Sequence, residues 1–409
     1  MTRNFGLDPG QDIGALIARH RDGYALEQPF YLSDDIFARD LETVFYKEWQ
    51  LVGHCSELQN AGDYFLFEMM DESVIITRDA EGDIHALANV CRHRGSRVCL
   101  ERRGNARRFT CPYHAWSYNL DGSLFHARQL GEDQNPGALG LRRLAVEIFH
   151  GLIYVSFADA PASFASLRQD LDPIMAPFGL ERTKIAHRAS YPVKANWKLL
   201  VENYNECYHC TAAHPEFSRS HAIHMTADRV APLNAEMVKR AAACGVPTDY
   251  IDRIGSKRPE TSPDYSYGRY SLFEGFETGS EDGKPIAPFL GTLTGYDRGA
   301  SDVYVGILNP MLVYSDHAVI YRFHPVDKDT SMQEIIWLVH EDAVEGRDYD
   351  RDRLIWLWDV TTIADKKIIE KNQEGVRSRF YEPGPFVAME AYAKRFVDAY
   401  LKTLHQGCM

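Results

Sequence analysis

The sequence predicts an α+β protein: a small all-β domain, followed by a larger domain with an antiparallel β-sheet flanked by helices. Three observations lead to that class. At 409 residues the chain is about two to three times the length of a typical domain. Between Trp49 and Phe157 it runs in short alternating segments, at 64–68, 73–77, 84–88 and 151–156, separated by turn signals at 79–82 and 119–122. Beyond the Pro- and Ala-containing stretch 159–163, alternating and helical periods are mixed. The predicted boundaries are 45–160 for the small domain, and 1–44 with 161–409 for the larger one.

Residues 1–45 begin polar and become periodic, with a strand end at Tyr31 and Ser33 as the N-cap of a helix carrying Ile36, Leu41, Val44 and Phe45. In the larger domain, 165–175 reads as a helix, 186–193 as a strand and 197–208 as a helix entered at Asn196. The stretch 226–300, rich in Gly, Pro, Ser and charge, is expected to form long excursions or a lid. Residues 303–313, 318–325 and 334–340 alternate as antiparallel strands. A long helix covers 354–376, and a last amphipathic helix covers 387–401.

A composition of 45% hydrophobic and 25% charged residues is that of an ordinary globular protein. The net charge of -13 argues against a nucleic-acid partner, because a phosphate backbone calls for a basic surface. It is also a reason, a weaker one, to expect no anionic membrane surface. Eight cysteines in so long a chain are no disulfide scaffold, and Cys55, Cys99, Cys207, Cys210, Cys244 and Cys408 show no repeating spacing. Met1–Leu16 has no signal-peptide pattern, and no apolar run approaches about 18 residues. A cytoplasmic protein with reduced thiols is expected.

The segment 91–116 carries the most chemistry. Cys91 and His93 form a Cys-x-His pair, and Cys111 and His114 a Cys-x-x-His pair. Two thiolates and two imidazoles on two short loops suit a Rieske [2Fe–2S] cluster, where two histidines replace two cysteines on one iron. Gly95, Gly104 and Pro112 punctuate the loop tips. A zinc site would use the same atoms, but zinc fingers usually order their ligands Cys, Cys, His, His. Here the order alternates.

A second group lies at 202–215, where Glu206, His209 and His214 are spaced three and five apart. On one straight helix the two histidines would differ by about 140° and could not share a metal. Pro215 disfavours α conformation at His214, so a break between them is expected. Two histidines and a carboxylate make the facial triad of a non-haem Fe(II) oxygenase. Asp365, on the long C-terminal helix, is the candidate carboxylate, although by spacing alone it reads as a solvated helix charge.

With these motifs the chain resembles Rieske non-haem iron oxygenase α subunits, over nearly its whole length from Phe45 to Pro385. The resemblance implies a Rieske [2Fe–2S] cluster on Cys91, His93, Cys111 and His114, and a mononuclear Fe(II) on His209, His214 and Asp365. It implies that Glu206 links the iron site to a Rieske histidine of a neighbouring subunit, within a homotrimer. Electrons would come from NAD(P)H through a separate flavin and [2Fe–2S] reductase. Respiratory-chain Rieske proteins carry an extra cysteine after each ligand pair; Ser96 and Tyr113 stand there instead, as in the lower-potential oxygenase type.

Most aromatic-ring dioxygenases have Asp at the position of Glu206. Glu206 with its neighbours, and the stretch 337–349, resemble the branch that attacks quaternary ammonium compounds such as glycine betaine, stachydrine and carnitine. The resemblance therefore implies N-demethylation with release of formaldehyde; the alternative is an aromatic-ring hydroxylating dioxygenase. A pure electron carrier is a third reading, against which stand the chain length and the second metal motif. Aromatic faces are the expected surface for a quaternary ammonium, which donates no hydrogen bond. Tyr204, Tyr208, Phe217, Tyr304, Tyr314 and Tyr321 are the candidates, each also readable as core.

Overall fold

The computed structural model describes residues 12–255 and 261–406; Cys408 and most of Met1–Leu16 lie outside them. The chain divides into two compact units, Trp49–Pro161 and the remainder, Met1–Glu48 with Ala162–Met409. Among the described residues no helix is long and apolar enough to cross a membrane.

The smaller unit holds ten strands. They are β1 (Gln50–His54), β2 (Asp63–Met69), β3 (Glu72–Arg78), β4 (Ile84–Ala88) and β5 (Arg103–Asn105), then β6 (Phe109–Thr110), β7 (Ser117–Tyr118), β8 (Leu124–His126), β9 (Arg143–Phe149) and β10 (Leu152–Ser156). Seven form an antiparallel sheet in the order β1-β10-β9-β4-β3-β2-β5, and β6-β7-β8 form a small second sheet. Ile75, Leu87, Val98, Phe109, Trp116, Tyr118 and Leu141 pack into one core, which also takes in Cys91 and Cys111. Burial of that apolar surface is the main force ordering the loops, at about 25 cal/mol per Å² removed from water.

In the larger unit the N-terminal helices are α1 (Ile13–Ala18), α2 (Gln28–Leu32) and α3 (Asp34–Asp40). The strand end predicted at Tyr31 is thus a short helix. Pro29 sits in its first turn, where a missing N–H costs nothing. Ser33 caps α3 as predicted, accepting from the Ile36 N–H at 3.4 Å. After α4 (Ala165–Met175) come β11 (Thr183–Val193) and α5 (Trp197–Tyr204), then the one-turn helices α6 (Cys210–Ala213) and α7 (Pro215–Ser218). The stretch expected to be excursions opens instead with α8 (Ala227–Cys244). Val230, Leu233, Met237 and Ala241 give it an apolar stripe, which Pro232 obscures in the sequence.

The remaining strands are β12 (Ile251–Arg253), β13 (Tyr265–Ser271), β14 (Gly299–Val305), β15 (Pro310–Val313), β16 (Ala318–Asp327) and β17 (Thr330–His340). With β11 they make a seven-stranded antiparallel sheet, ordered β11-β17-β16-β15-β14-β13-β12. The single strand predicted over 303–313 is in fact the hairpin β14–β15. Gly306 turns the chain at φ 72° and the Asn309 side chain donates to the Val305 carbonyl at 2.9 Å. Helix α9 (Arg351–Val376) packs on β11, α5 and the short α6 and α7, and α10 (Ala391–Gln406) packs on α5. The face of the sheet towards α5 and α9 is where the candidate site forms.

Candidate metal centres

The two loops of the smaller unit adopt the same turn. The Gly95 N–H bonds to the Cys91 carbonyl at 2.9 Å and the Ala115 N–H to the Cys111 carbonyl at 3.0 Å. Each loop closes at 2.8 Å, Cys91 N–H to Ser96 and Cys111 N–H to Trp116. The residue after the turn is left-handed in both, Gly95 at φ 78° and Ala115 at φ 59°. Glycine takes that conformation freely; at Ala115 the surrounding bonds must hold it.

This paired geometry buries both cysteines and leaves both histidines exposed at the tip. The Nδ1 atoms of His93 and His114 face each other at 3.2 Å. The His93 ring stacks on Trp116 and the His114 ring on Tyr113. Two sulfurs on the core side and two convergent nitrogens on the outer side are a donor set that fits a [2Fe–2S] cluster. Burial raises the Cys111 thiol pKa, but backbone N–H groups of Tyr113 and His114, with Cys91 and Ser96, outweigh it and bring it below the ordinary value.

The Tyr118 hydroxyl lies 3.2 Å from Cys91 Sγ and accepts from the Arg92 N–H at 3.1 Å. Hydrogen bonds to cluster sulfurs raise the reduction potential. Tyr118→Phe is therefore expected to lower the cluster potential by about 40 mV, the one-electron equivalent of about 1 kcal/mol. A redox titration followed by EPR that shows no fall would exclude this role.

The second group is built by a break in the chain. Helix α5 ends at Tyr204, four residues before the predicted end. The Asn205 side chain donates to the Val201 carbonyl at 2.7 Å, closing the helix, and Tyr304 holds the Asn205 oxygen at 3.0 Å. Glu206 and His209 consequently meet across a turn and not along a helix. His214 ends α6 in a non-helical conformation, φ -145° and ψ 81°, immediately before Pro215, which disfavours α there.

That path brings three donor atoms together. His209 Nε2 lies 3.1 Å from His214 Nε2, and Asp365 Oδ1, on α9, is 3.2 Å from the first and 3.0 Å from the second. Donors about 2.1 Å from one metal and at right angles lie about 3.0 Å apart, against roughly 3.4 Å for a tetrahedron. The triangle therefore fits one face of an octahedron, with the opposite positions open. His209 Nδ1 bonds to the Glu206 carboxylate, which also accepts from the backbone N–H groups of Tyr208 and His209. Burial lowers the His209 pKa, but Asp365 and Glu206 overcome that and lift it to about 9. Burial works to raise the Asp365 pKa, and the two histidines pull it below the usual carboxylate value.

Cys210 also lies close to both histidines, but its sulfur is joined to Cys207, contrary to the expected free thiols. Their Cα atoms are 5.0 Å apart, within disulfide reach. A disulfide sulfur is not a thiolate ligand, so the donor set is two imidazoles and a carboxylate.

The triangle opens into a cavity of about 870 Å³. Of the predicted aromatics, Tyr204, Phe217, Tyr304 and Tyr321 line it; Tyr208 is exposed and Tyr314 is buried elsewhere. Tyr204 meets Tyr321 edge-on, with centroids 4.9 Å apart. Sequence reasoning missed Asp302, Tyr270 and Trp358 in the wall. The available signal was a charged residue inside the otherwise apolar alternation of β14.

Residues 48–145 match the Rieske [2Fe–2S] domain family, and residues 180–406 the family described as ring hydroxylating alpha subunit (catalytic domain). The chain is 35% identical to the glycine betaine monooxygenase oxygenase subunit of Chromohalobacter salexigens, over 97% of this chain and 90% of that one. It is 29% identical to the carnitine monooxygenase oxygenase subunit of Escherichia coli, covering 89% and 87%. Its fold is similar to that of the quaternary ammonium Rieske monooxygenase CntA in complex with L-carnitine, with a TM-score of 0.70, 23% identity and 97% and 99% coverage. The chain belongs to the Rieske-type ring-hydroxylating oxygenase α subunits, enzymes that join a [2Fe–2S] domain to a catalytic domain for mononuclear non-haem iron.

Proposed function

We propose that this chain is the terminal oxygenase of a Rieske system that hydroxylates an N-methyl group of a quaternary ammonium compound, such as a betaine. The observation that carries this reading is the His209–His214–Asp365 triangle opening into an aromatic-walled cavity. Similarity to glycine betaine and carnitine oxygenase subunits supports the substrate class.

In this reading 45–160 is the Rieske domain, and 1–44 with 161–409 the catalytic domain. Cys91, His93, Cys111 and His114 hold the cluster; His209, His214 and Asp365 hold the iron. When bound, the iron supplies O₂ activation and the cluster supplies electrons. Glu206 keeps the proton of His209 on Nδ1, which leaves the Nε2 lone pair for a metal. The aromatic wall binds the cation through its ring faces and excludes water. O₂, two electrons and two protons put one oxygen atom into a methyl C–H bond and release the other as water. The resulting hydroxymethyl ammonium then loses its hydroxyl proton to water and releases formaldehyde as the C–N bond breaks, the bonding pair passing to nitrogen to leave the demethylated amine.

The electrons come from NAD(P)H through a separate flavin and [2Fe–2S] reductase, in the cytoplasm. With their Nδ1 atoms facing each other, the exposed rings of His93 and His114 keep Nε2 for donation to Glu206 of a neighbouring copy, and the family resemblance makes that assembly a homotrimer. Glu206→Gln should keep both metals yet lower turnover about 10- to 100-fold. Unchanged turnover would remove Glu206 from the path.

The reading is tested by supplying the purified oxygenase with reductase, NADH, O₂ and glycine betaine, carnitine or proline betaine. Formaldehyde and the demethylated amine are expected. No formaldehyde from any of them, with a cis-diol or phenol from an aromatic substrate, would replace it with ring hydroxylation.

A further inference from the structure

The aromatic wall contains one carboxylate that nothing in the metal triangle uses. Asp302 lies on β14, paired across to Gly268 on β13 and Leu312 on β15. Gly268 brings no side chain beside it, the Tyr250 ring lying 3.6 Å from where a Cβ would stand, and Asp302 lines the cavity. Its one polar contact among the described residues is the Tyr204 hydroxyl, which donates at a long 3.4 Å. Burial pushes the Asp302 carboxyl up to about 7, and the Tyr204 bond offsets this only in part. That is the behaviour of a desolvated carboxylate lacking a cation.

No cation of the wall can serve it. Among the described residues, the only guanidinium or ammonium lining the cavity is Arg269. It forks onto Asp297 with both contacts at 2.6 Å, and also donates to Ser301 and to the Gly299 and Val313 carbonyls. Tyr204 and Tyr321 connect Asp302 to the metal end, since Tyr321 feels the charge of Asp365 and packs edge-on against Tyr204.

We propose that Asp302 is the charge partner of the substrate's ammonium group, working with the ring faces of Tyr204, Tyr270, Tyr304 and Tyr321. The proposal rests on the quaternary ammonium reading and deepens it: selection is by positive charge and not only by the shape of three methyl groups. A cation over aromatic rings alone gains modestly, whereas a carboxylate in a desolvated cavity adds direct charge pairing.

The test compares glycine betaine with 3,3-dimethylbutanoate, in which a neutral carbon replaces the nitrogen. Binding to the holoenzyme is measured by calorimetry, for wild type and Asp302→Asn, with iron content and cluster spectrum as checks on the variant. Wild type should prefer the betaine by about 10- to 100-fold, and the variant should lose most of that preference by weakening betaine alone. Wild type binding both ligands equally would overturn the proposal without recourse to the variant. So would a variant with intact metals that retains the wild-type preference. If wild type releases formaldehyde from betaine while either result holds, only the role of Asp302 falls. If wild type neither binds nor demethylates any quaternary ammonium, the functional reading falls and takes this proposal with it.

Discussion

Asp365→Ala is expected to leave the chain with about two irons in place of about three, to abolish turnover, and to preserve the Rieske absorption and EPR signals. Asp365 contributes the third corner of the donor triangle, at 3.0 and 3.2 Å from the two histidine nitrogens. Without it two imidazoles remain: the Glu206 carboxylate is engaged by His209 Nδ1 and two backbone N–H groups, Asn203 is uncharged and approaches His209 Nε2 only at 3.5 Å, and Cys210 is bound to Cys207. A divalent iron held by two neutral ligands loses both a bond and the anion that offsets its charge. The variant should fold, because Asp365 sits on α9, a helix of 26 residues for which alanine is the best helix former. Iron analysis with the cluster spectrum as internal reference is the measurement. Retention of a full iron complement would show that another residue completes the site.

The parts of this site that could be read in the sequence are those fixed by local chemistry. Cys91, His93, Cys111 and His114 stand out because scarce residue types recur at short spacings, and short spacing determines the local geometry that brings them together. Pro215 likewise announces a chain break beside His214. The position of the break that shapes Glu206 and His209 was not legible. It depends on Asn205 closing α5 while Tyr304, about a hundred residues later, grips the Asn205 side chain. Helix α8 was hidden by one proline, and the β14–β15 hairpin by two strands too short to separate by alternation. Asp302 escaped for a deeper reason. An aspartate in a strand is ordinarily a solvated edge charge; only the tertiary fold turns it into a cavity.

A second large effect is expected at the base of α5, far in sequence from any donor atom. Asp40→Ala should destabilise the larger unit by about 3–5 kcal/mol, because it strands a buried ammonium. Lys198 and Asp40 form an ion pair with no exposure of either side chain. Asp40 also accepts from the Trp197 indole N–H at 3.0 Å and the Tyr400 hydroxyl at 2.7 Å, so one carboxylate ties α3, α5 and α10 together. Burial pushes the Asp40 pKa up and the Lys198 pKa down, and each partner resists the change in the other. The pair is costly to desolvate yet more costly to halve. Asp40→Leu combined with Lys198→Met should therefore recover much of the stability lost in Asp40→Ala. Thermal unfolding decides it: a melting temperature lowered by about 10 °C in the single variant and partly restored in the double one. A double variant as unstable as the single would mean that packing, not the uncompensated charge, sets the loss. The consequence reaches the metal site, because α5 delivers Tyr204 and Asn205 to the cavity and its N-cap residue Asn196 donates its backbone N–H to Gln373 of α9 at 2.8 Å. Loosening that anchor frees α9, which carries Asp365, and α5, whose end leads into the turn that carries His209, so iron affinity should fall with stability in the same variants.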